Sequence, residues 1–547
     1  EISMWKEPQL EQLKSGILQA DIISFDVFDT LIVRMTNTPE DVFTLLEKKT
    51  GIRGLANWRQ RCQMMASQEV EETEQKAHAD LDDTYEYLAK NHGSIVDWEQ
   101  VKQEEIAIEK QVLRKNDEIY EIYQYAKSLG KRIIVTSDMY LDKSTVKDLV
   151  EGCGYHDIEQ YYVSATENHT KFRGDIYHYI AEQEKVKPNT ILHIGDNENS
   201  DVRLAREAGW NAFLYIRNEI PNETKIENMG IFDLGVGRYV QTGEFWHDLG
   251  AYVGGPLYVG IVKWLKEMRK ANPNRPCYLL ARDGYNLFQL SEKQEWIGCQ
   301  YMYTSRRALT LAGITELNEE TLRILPPYTL GQTIGEVVHY IALEGVTEEQ
   351  VQSLGFAGLD AKINTVDDME KVKKLYLMNE ALFLKRCEKE RNNAKNYFEK
   401  IGLLQNDSII FDCGWNGSSQ YLLNRVLTNI GYSKENRFVY VGILDTVKSR
   451  RQLKNTEYDT YLFDIDKNKR IQQELNSVVA LLELFFGAPS ESLFQYGEDE
   501  LIFETIGNDE NYKKNVCQGI IDFVTVAEPM YDGFEKRRKV HWLGLCA

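Results

Sequence analysis

Short apolar runs that stop abruptly at carboxylate side chains recur along this chain, and they restrict its fold more than any other feature. In the first, DIISFDVFDTLIVR from Asp21 to Arg34, Ile22, Ile23 and Phe25 show no helical period and give way at once to Asp26, Asp29 and Thr30. A run of this kind reads as a strand buried on both faces. RIIVTSD from Arg132 and TILHIGDNENSD from Thr190 repeat the pattern, with helically spaced segments between and after these runs that stop at Gly130 and Gly209. Strands alternating with helices imply an α/β fold, a doubly wound parallel sheet with its acidic loops gathered at one edge. In such a sheet the carboxyl edge is where ligands bind.

The 547 residues exceed one ordinary core and predict two to four domains. Residues 1–33 and 117–218 are expected to form the sheet core. Residues 34–116 carry helical spacing (Val42, Leu45, Leu46; Tyr85, Leu88; Val101, Ile108, Val112) and no convincing strand, which predicts a helical insertion after the first strand. Thr38-Pro39 reads as the start of its first helix. Residues 219–234, polar and containing Pro221, read as a linker, and 235–547 as a second α/β domain.

The net charge of -21 argues against nucleic acid or an anionic membrane as a general partner, since both require a basic patch. The eight cysteines show no CxxC pair or zinc-like spacing and read as reduced thiols. The polar, amphipathic opening does not read as a secretory signal. The apolar run from Val478 to Ala488 carries Glu483 and is too short to span a bilayer, so no stable membrane insertion is expected. A cytoplasmic location follows as the expectation. A chain opening on Glu1 is also compatible with being a piece of a longer protein.

Each acidic stretch has an ordinary structural account: an Asx turn at Asp26, a cap at Ser137-Asp138, a solvated Lys171, helix caps at Asp196 and Asp201. Their order and their shared place at strand ends favour chemistry instead. Carboxylates crowded at one edge repel, and a hard divalent cation such as Mg²⁺ removes the conflict. A carboxylate, a cation, a hydroxyl and a lysine together suit phosphoryl transfer. Asp26 would attack phosphorus, Lys171 would neutralise phosphoryl oxygens and Ser137 would donate a hydrogen bond to one of them.

FDVFDTL, VTSDMYL, Lys171 and IGDNENSD together resemble the four ordered motifs of the haloacid dehalogenase-like hydrolase superfamily, over residues 20 to 216. The helical insertion resembles the cap that many of these enzymes close over a substrate. By this resemblance Asp26 is the nucleophile, Ser137 the second-motif hydroxyl, with Thr136 a one-residue alternative, and Lys171 the third-motif lysine. Asp196 and Asp201 serve Mg²⁺, together with Asp26 and the main-chain carbonyl of Phe28. One position departs from the pattern. Most phosphatases of the superfamily carry a second aspartate, as acid and base, where this chain has Phe28. Phenylalanine transfers no proton, so the acid and base stay unassigned, with Asp29, from a shifted loop, as one candidate. Dehalogenases also lack that aspartate and need no metal. The acidic IGDNENSD loop favours a metal here, and hence phosphorus chemistry.

In the second half, PCYLLARDG from Pro276, YMYTSRR from Tyr301 and DSIIFDCGWNGSSQ from Asp407 each read as a strand running into a polar loop. The loop at Asp412 could cradle a phosphate on backbone N–H groups, with Arg282, Arg306 and Arg307 supplying positive charge. Tight turns, and arginines paired with acidic neighbours, are the ordinary account. LARDGY, SRRAL and DCGWNGS resemble the second half of a bacterial group of predicted hydrolases associated with surface-polysaccharide synthesis and, more remotely, phosphoribosyltransferases.

The expectation is a Mg²⁺-dependent hydrolase or phosphotransferase for a small phosphorylated metabolite, such as a sugar or polyol phosphate. Thr30, Asp138, Arg282 and Asp412 are the expected substrate contacts. A second copy of the chain, or enzymes of polysaccharide synthesis, are compatible partners. Two other readings stay open: a binding or scaffold protein that keeps the site without turnover, argued from Phe28, and a transferase whose activity lies in the second half.

Overall fold

The computed structural model describes residues 7–73, 76–93, 96–217, 230–294, 298–325, 330–341, 343, 345–432, 435–476, 479–489, 491–504 and 511–534. These divide into two compact units, one of residues up to 248 with 526–534, the other of residues 249–525. Among the described residues no helix is long and apolar enough to cross a membrane. None of the seven described cysteines forms a disulfide.

In the first unit, helix α1 (Glu7–Gln19) precedes strand β1 (Ile22–Phe25). Short strands β2 (Ile32–Arg34) and β3 (Leu113–Lys115) flank the insertion, and β4 (Arg132–Ser137), β5 (Gln160–Val163), β6 (Ile191–Gly195) and β7 (Asn211–Leu214) follow. The main sheet runs β5-β4-β1-β6-β7 and every pairing in it is parallel. β1 is central and buried at all four positions, as its apolar run predicts. Full burial of Ile23 and Phe25 stabilises the sheet by about 1.5–3 kcal/mol each.

The insertion is a helical cap of α2 (Asp41–Thr50), α3 (Leu55–Thr73), α4 (Leu81–His92) and α5 (Trp98–Val112). Thr38-Pro39 lies just before it: α2 begins at Asp41, whose carboxylate accepts from the Thr38 N–H. The strand-free reading of 34–116 needs correction. β2 and β3 pair antiparallel, Ile32 opposite Lys115 and Arg34 opposite Leu113, and zip together the two chain crossings into the cap. Strands of three residues are too short to show a period of two, and their partner lies about 80 residues away in sequence.

The cap docks on the core loops through His78 Nε2 to Ser164 Oγ at 2.7 Å and through the Leu81 N–H to the Tyr140 carbonyl at 2.8 Å. Its centre is a fully buried ion pair. Arg59 donates to both Glu105 oxygens, at 2.7 and 2.8 Å, while the Tyr85 hydroxyl donates to the same carboxylate at 2.8 Å. The rings of Phe43 and Tyr140 lie 4.8 and 4.9 Å from the guanidinium carbon.

Most of the expected linker, residues 219–229, lies outside the described residues. Beyond it the chain is helical at Asp233–Val240 and stays with the first unit, so the division falls at 248 and not at the expected 235. The cause is close packing. A Cβ at Gly235 would stand 2.3 Å from the Met35 and Thr36 carbonyl oxygens, and the Leu234 N–H donates to Asn37 Oδ1 at 2.8 Å.

In the second unit, β8 (Cys277–Leu280), β9 (Cys299–Met302), β10 (Ile409–Trp415), β11 (Arg437–Ile443) and β12 (Tyr458–Phe463) form another parallel sheet, ordered β12-β11-β10-β8-β9. A hairpin, β13 (Ser492–Tyr496) and β14 (Leu501–Glu504), follows. The strands expected after Pro276, Tyr301 and Asp407 are present; β12 and the hairpin carry no comparable sequence signal.

Removing the guanidinium by Arg59→Ala leaves Glu105 buried and unpaired, a change that costs about 3–5 kcal/mol. Urea unfolding should show that loss, and Glu105→Gln should cost less because it removes the charge it would otherwise strand.

Candidate active site

Asp26, at the exit of β1, is 6% exposed, and its environment assembles from three other strand ends. Lys171 reaches in from the loop before the helix Asp175–Glu184, its Nζ 2.5 Å from Asp26 Oδ1 and 2.6 Å from Asp201 Oδ1. That loop is held by Asp138, after β4, whose carboxylate accepts the Lys171 and Phe172 N–H groups at 2.7 and 3.0 Å. Asp201 sits one turn into the helical segment after β6, its Oδ2 accepting the Asn197 N–H at 3.0 Å. Gly195 makes this possible, because a Cβ there would stand 2.4 Å from Asp201 Cγ.

Thr30 is buried and donates to Asp26 Oδ2 at 3.4 Å. Ser137 is buried at the end of β4. The Thr136 hydroxyl, pointing to the other face of the strand, is bonded to Ser24 Oγ at 2.8 Å, which commits it to the sheet interior. Arg282 and Asp412 belong to the other unit and its separate sheet.

Sequence reasoning missed what lies beneath these groups. Ser24 Oγ is 2.8 Å from His193 Nδ1, and His193 Nε2 is 3.2 Å from Asp201 Oδ1. Burial pulls the His193 ring below its ordinary value, so it is neutral near pH 7. The network then assigns its proton to Nε2, donated to Asp201, while Nδ1 accepts from Ser24. A signal was present: Ser24 and His193 are polar residues inside otherwise apolar runs, and a buried polar group must find a partner.

The electrostatics follow from burial and crowding. Burial drives the Asp26 carboxyl well above its ordinary range; Lys171 opposes this, and Asp201 and Asp196 reinforce it. Burial works against the Lys171 ammonium, yet Asp26 and Asp201 hold it well above the usual lysine range. For Asp201, burial is outweighed by Lys171 and His193, and the carboxyl titrates below its ordinary value. Asp196 is raised to about 6 by desolvation and by repulsion from Asp29 and Asp201. Asp26, Asp196 and Asp201 each bring a ligand oxygen within 4.8 Å of the others. Three carboxylates with one ammonium leave surplus negative charge, and an all-oxygen donor set suits a hard cation such as Mg²⁺.

The position where an acid would be expected holds Phe28, with the Arg34 guanidinium 4.4 Å above its ring. Arg34 in turn grips Glu109 of α5 at 3.0 Å through both Nε and Nη2. Asp29 is exposed, in the left-handed region at φ 60°.

Raised folded-state titration of Asp196 has a definite sign. Between the ordinary carboxylate value and about 6 the native state holds the proton more tightly than the unfolded chain, so this group's contribution lowers stability as pH rises through that window. In chelator, the parent should lose thermal midpoint relative to Asp196→Asn across that interval. The midpoint gained on adding Mg²⁺ should grow over the same interval in the parent and be smaller throughout in Asp196→Asn. No Mg²⁺ effect at neutral pH would mean the acidic cluster holds no cation.

A search of curated proteins gave no match. Among solved structures, the L-2-haloacid dehalogenase of Xanthobacter autotrophicus is 18% identical, the alignment covering 36% of this chain and 78% of that one, with a TM-score of 0.28. A HAD phosphatase of Thermococcus onnurineus is 14% identical over 37% of this chain and 90% of its own, with a TM-score of 0.26. A HAD-hydrolase of Bacillus subtilis bound to magnesium is 15% identical over 37% and 90%, with a TM-score of 0.28. Residues 20–209, which span the cap and the segments that carry Asp26, Ser137, Lys171, Asp196 and Asp201, match the family model of the haloacid dehalogenase-like hydrolases.

Proposed function

We propose that the first unit is a Mg²⁺-dependent phosphohydrolase or phosphotransferase that works through an aspartyl-phosphate on Asp26. The observation that carries this reading is the bridging of Lys171 between Asp26 and Asp201, with Asp196 completing a three-carboxylate set. When bound, Mg²⁺ would be held by Asp26, Asp196, Asp201 and the Phe28 carbonyl, and would supply positive charge to the phosphoryl oxygens.

The chain's own groups account for the rest. An Asp26 carboxylate oxygen attacks phosphorus, the ester P–O bond breaks, and the alcohol departs with a proton. Lys171 balances charge on the phosphoryl oxygens, and Ser137 donates to one of them. Water then attacks phosphorus and inorganic phosphate leaves, or an acceptor hydroxyl takes the phosphoryl group as a new ester; in either case the bond between Asp26 and phosphorus breaks and the nucleophile gives up a proton. Phe28 cannot move either proton; Asp29 is the nearest carboxylate in sequence and is exposed to solvent, as a group exchanging protons with water must be. The cap helices lie over the loops that carry Lys171 and Asp138, which suits a small substrate shielded from water. We take the substrate to be a sugar or polyol phosphate, on the polysaccharide-associated resemblance of LARDGY, SRRAL and DCGWNGS, and the compartment to be the cytoplasm, in keeping with the unpaired cysteines.

A second reading, a binding protein without turnover, is favoured by one observation: Phe28 stands under Arg34, where it packs and does no proton chemistry.

A panel of phosphate esters with Mg²⁺ separates the two. Asp26→Asn should reduce kcat by at least about 10³-fold, a loss of roughly 4 kcal/mol of transition-state stabilisation. Turnover that survives Asp26→Asn overturns the aspartyl-phosphate. Inertness of the parent across the panel, with tight ester binding, selects the second reading.

A further inference from the structure

In the second unit the strand order reverses between β8 and β10: the chain moves outward from β8 to β9, and the opposite way from β10 to β11 and β12. Beyond the carboxyl ends of that pair lies a cavity of about 400 Å³. Open parallel sheets bind ligands at such reversal points. The walls of this cavity carry an acid pair, joined to each other and to Ser419 by hydrogen bonds, and a set of buried donors that the chain leaves unanswered.

At one end, ligand oxygens of Asp283 and Asp412 and the sulfur of Cys413 lie within 4.8 Å of one another, and the Cys413 thiol donates to Asp283 at 2.8 Å. At the other is Arg307, 3% exposed. Its Nε and Nη1 donate to the Tyr340 and Phe494 carbonyls, and its guanidinium carbon lies 3.5 Å from the centre of the Phe494 ring. Its Nη2 meets no acceptor among the described residues. Trp415, 6% exposed and also on the cavity wall, has an indole N–H with no acceptor among the described residues. Burial pulls the Arg307 guanidinium down to about 10 despite nearby Glu390 and Glu504, so its charge is only partly compensated.

The helix Ser418–Asn429 begins at the cavity from Gly417, at φ 68° and without a side-chain cap, and Ser418 and Ser419 line the wall. Its first N–H groups add to the unanswered donors. Gly414 is what lets β10 lie close enough to β11 here, since a Cβ would stand 2.1 Å from the Gly442 carbonyl oxygen.

An anion alone would satisfy Arg307 and the helix start but would face the carboxyl groups of Asp283, Asp412, Glu483 and Glu504 on the same wall. A cation alone would answer the carboxyls and leave Arg307 worse off. We propose that this cavity is a second ligand site, taking a phosphate-bearing small molecule together with a divalent cation. Arg307, Arg306 at the rim and the start of the helix Ser418–Asn429 receive phosphoryl oxygens. Asp283 and Asp412 receive the cation, which bridges to the same phosphate; the soft Cys413 sulfur stays a hydrogen-bond donor to Asp283.

The probe is inorganic pyrophosphate, titrated calorimetrically into the full chain carrying Asp26→Asn and Asp196→Asn, so that metal ligation in the first unit is disabled. Binding is expected, and to be tighter with Mg²⁺ than with chelator. In that background Arg306→Gln, an exposed position, should weaken it about tenfold, the equivalent of roughly one charge-assisted hydrogen bond. Arg307→Gln should abolish it, and Asp283→Asn should remove the Mg²⁺ dependence. Thermal midpoints guard against misfolding, and should Arg307→Gln fail to fold, Arg306→Gln and Asp283→Asn decide. Absence of binding, affinity indifferent to Mg²⁺, or affinity unchanged by Arg306→Gln and Asp283→Asn each overturns the proposal.

Discussion

A lysine ammonium held between two buried carboxylates is the interaction on which the first unit depends. Lys171 is 4% exposed, Asp26 6% and Asp201 1%, so none of the three can rely on water for its charge. Separately each would be costly to bury; together they are satisfied in pairs, with one negative charge left over. Asp196 adds a second. That surplus exists because four segments distant in sequence end at one sheet edge. Much of the surrounding structure keeps this arrangement in place. Asp138 holds the Lys171 loop by its backbone, Gly195 leaves room for Asp201, and the His193–Ser24–Thr136 chain fixes Asp201 from beneath.

The same economy explains Phe28. Its ring supports Arg34, and Arg34 is clamped by Glu109 of the last cap helix, just before β3 rejoins β2. The position is part of the cap's anchorage.

The two units share one topological arrangement and differ in the charge balance around it. Each has a parallel sheet whose order reverses beside its central strand, between β1 and β6 in the first and between β8 and β10 in the second. In the first, carboxylates dominate and a single lysine balances them. In the second, a buried arginine and an uncapped helix face an acid pair.

The sequence alone carried a good part of this. Apolar runs ending in carboxylates marked β1, β4, β6, β8 and β10, because strands covered on both faces admit little but apolar side chains until the chain leaves the sheet. Helical spacing marked the cap for a similar reason, each helix burying one stripe. Strand order, the β2–β3 pairing, the return of Asp233–Val240 to the first unit and the partners of His193 and Arg307 were decided only in three dimensions. Local pattern records which side chains avoid water. Which distant groups then share a buried space, and whose charge goes unanswered there, depends on contacts between residues that no short window of sequence contains.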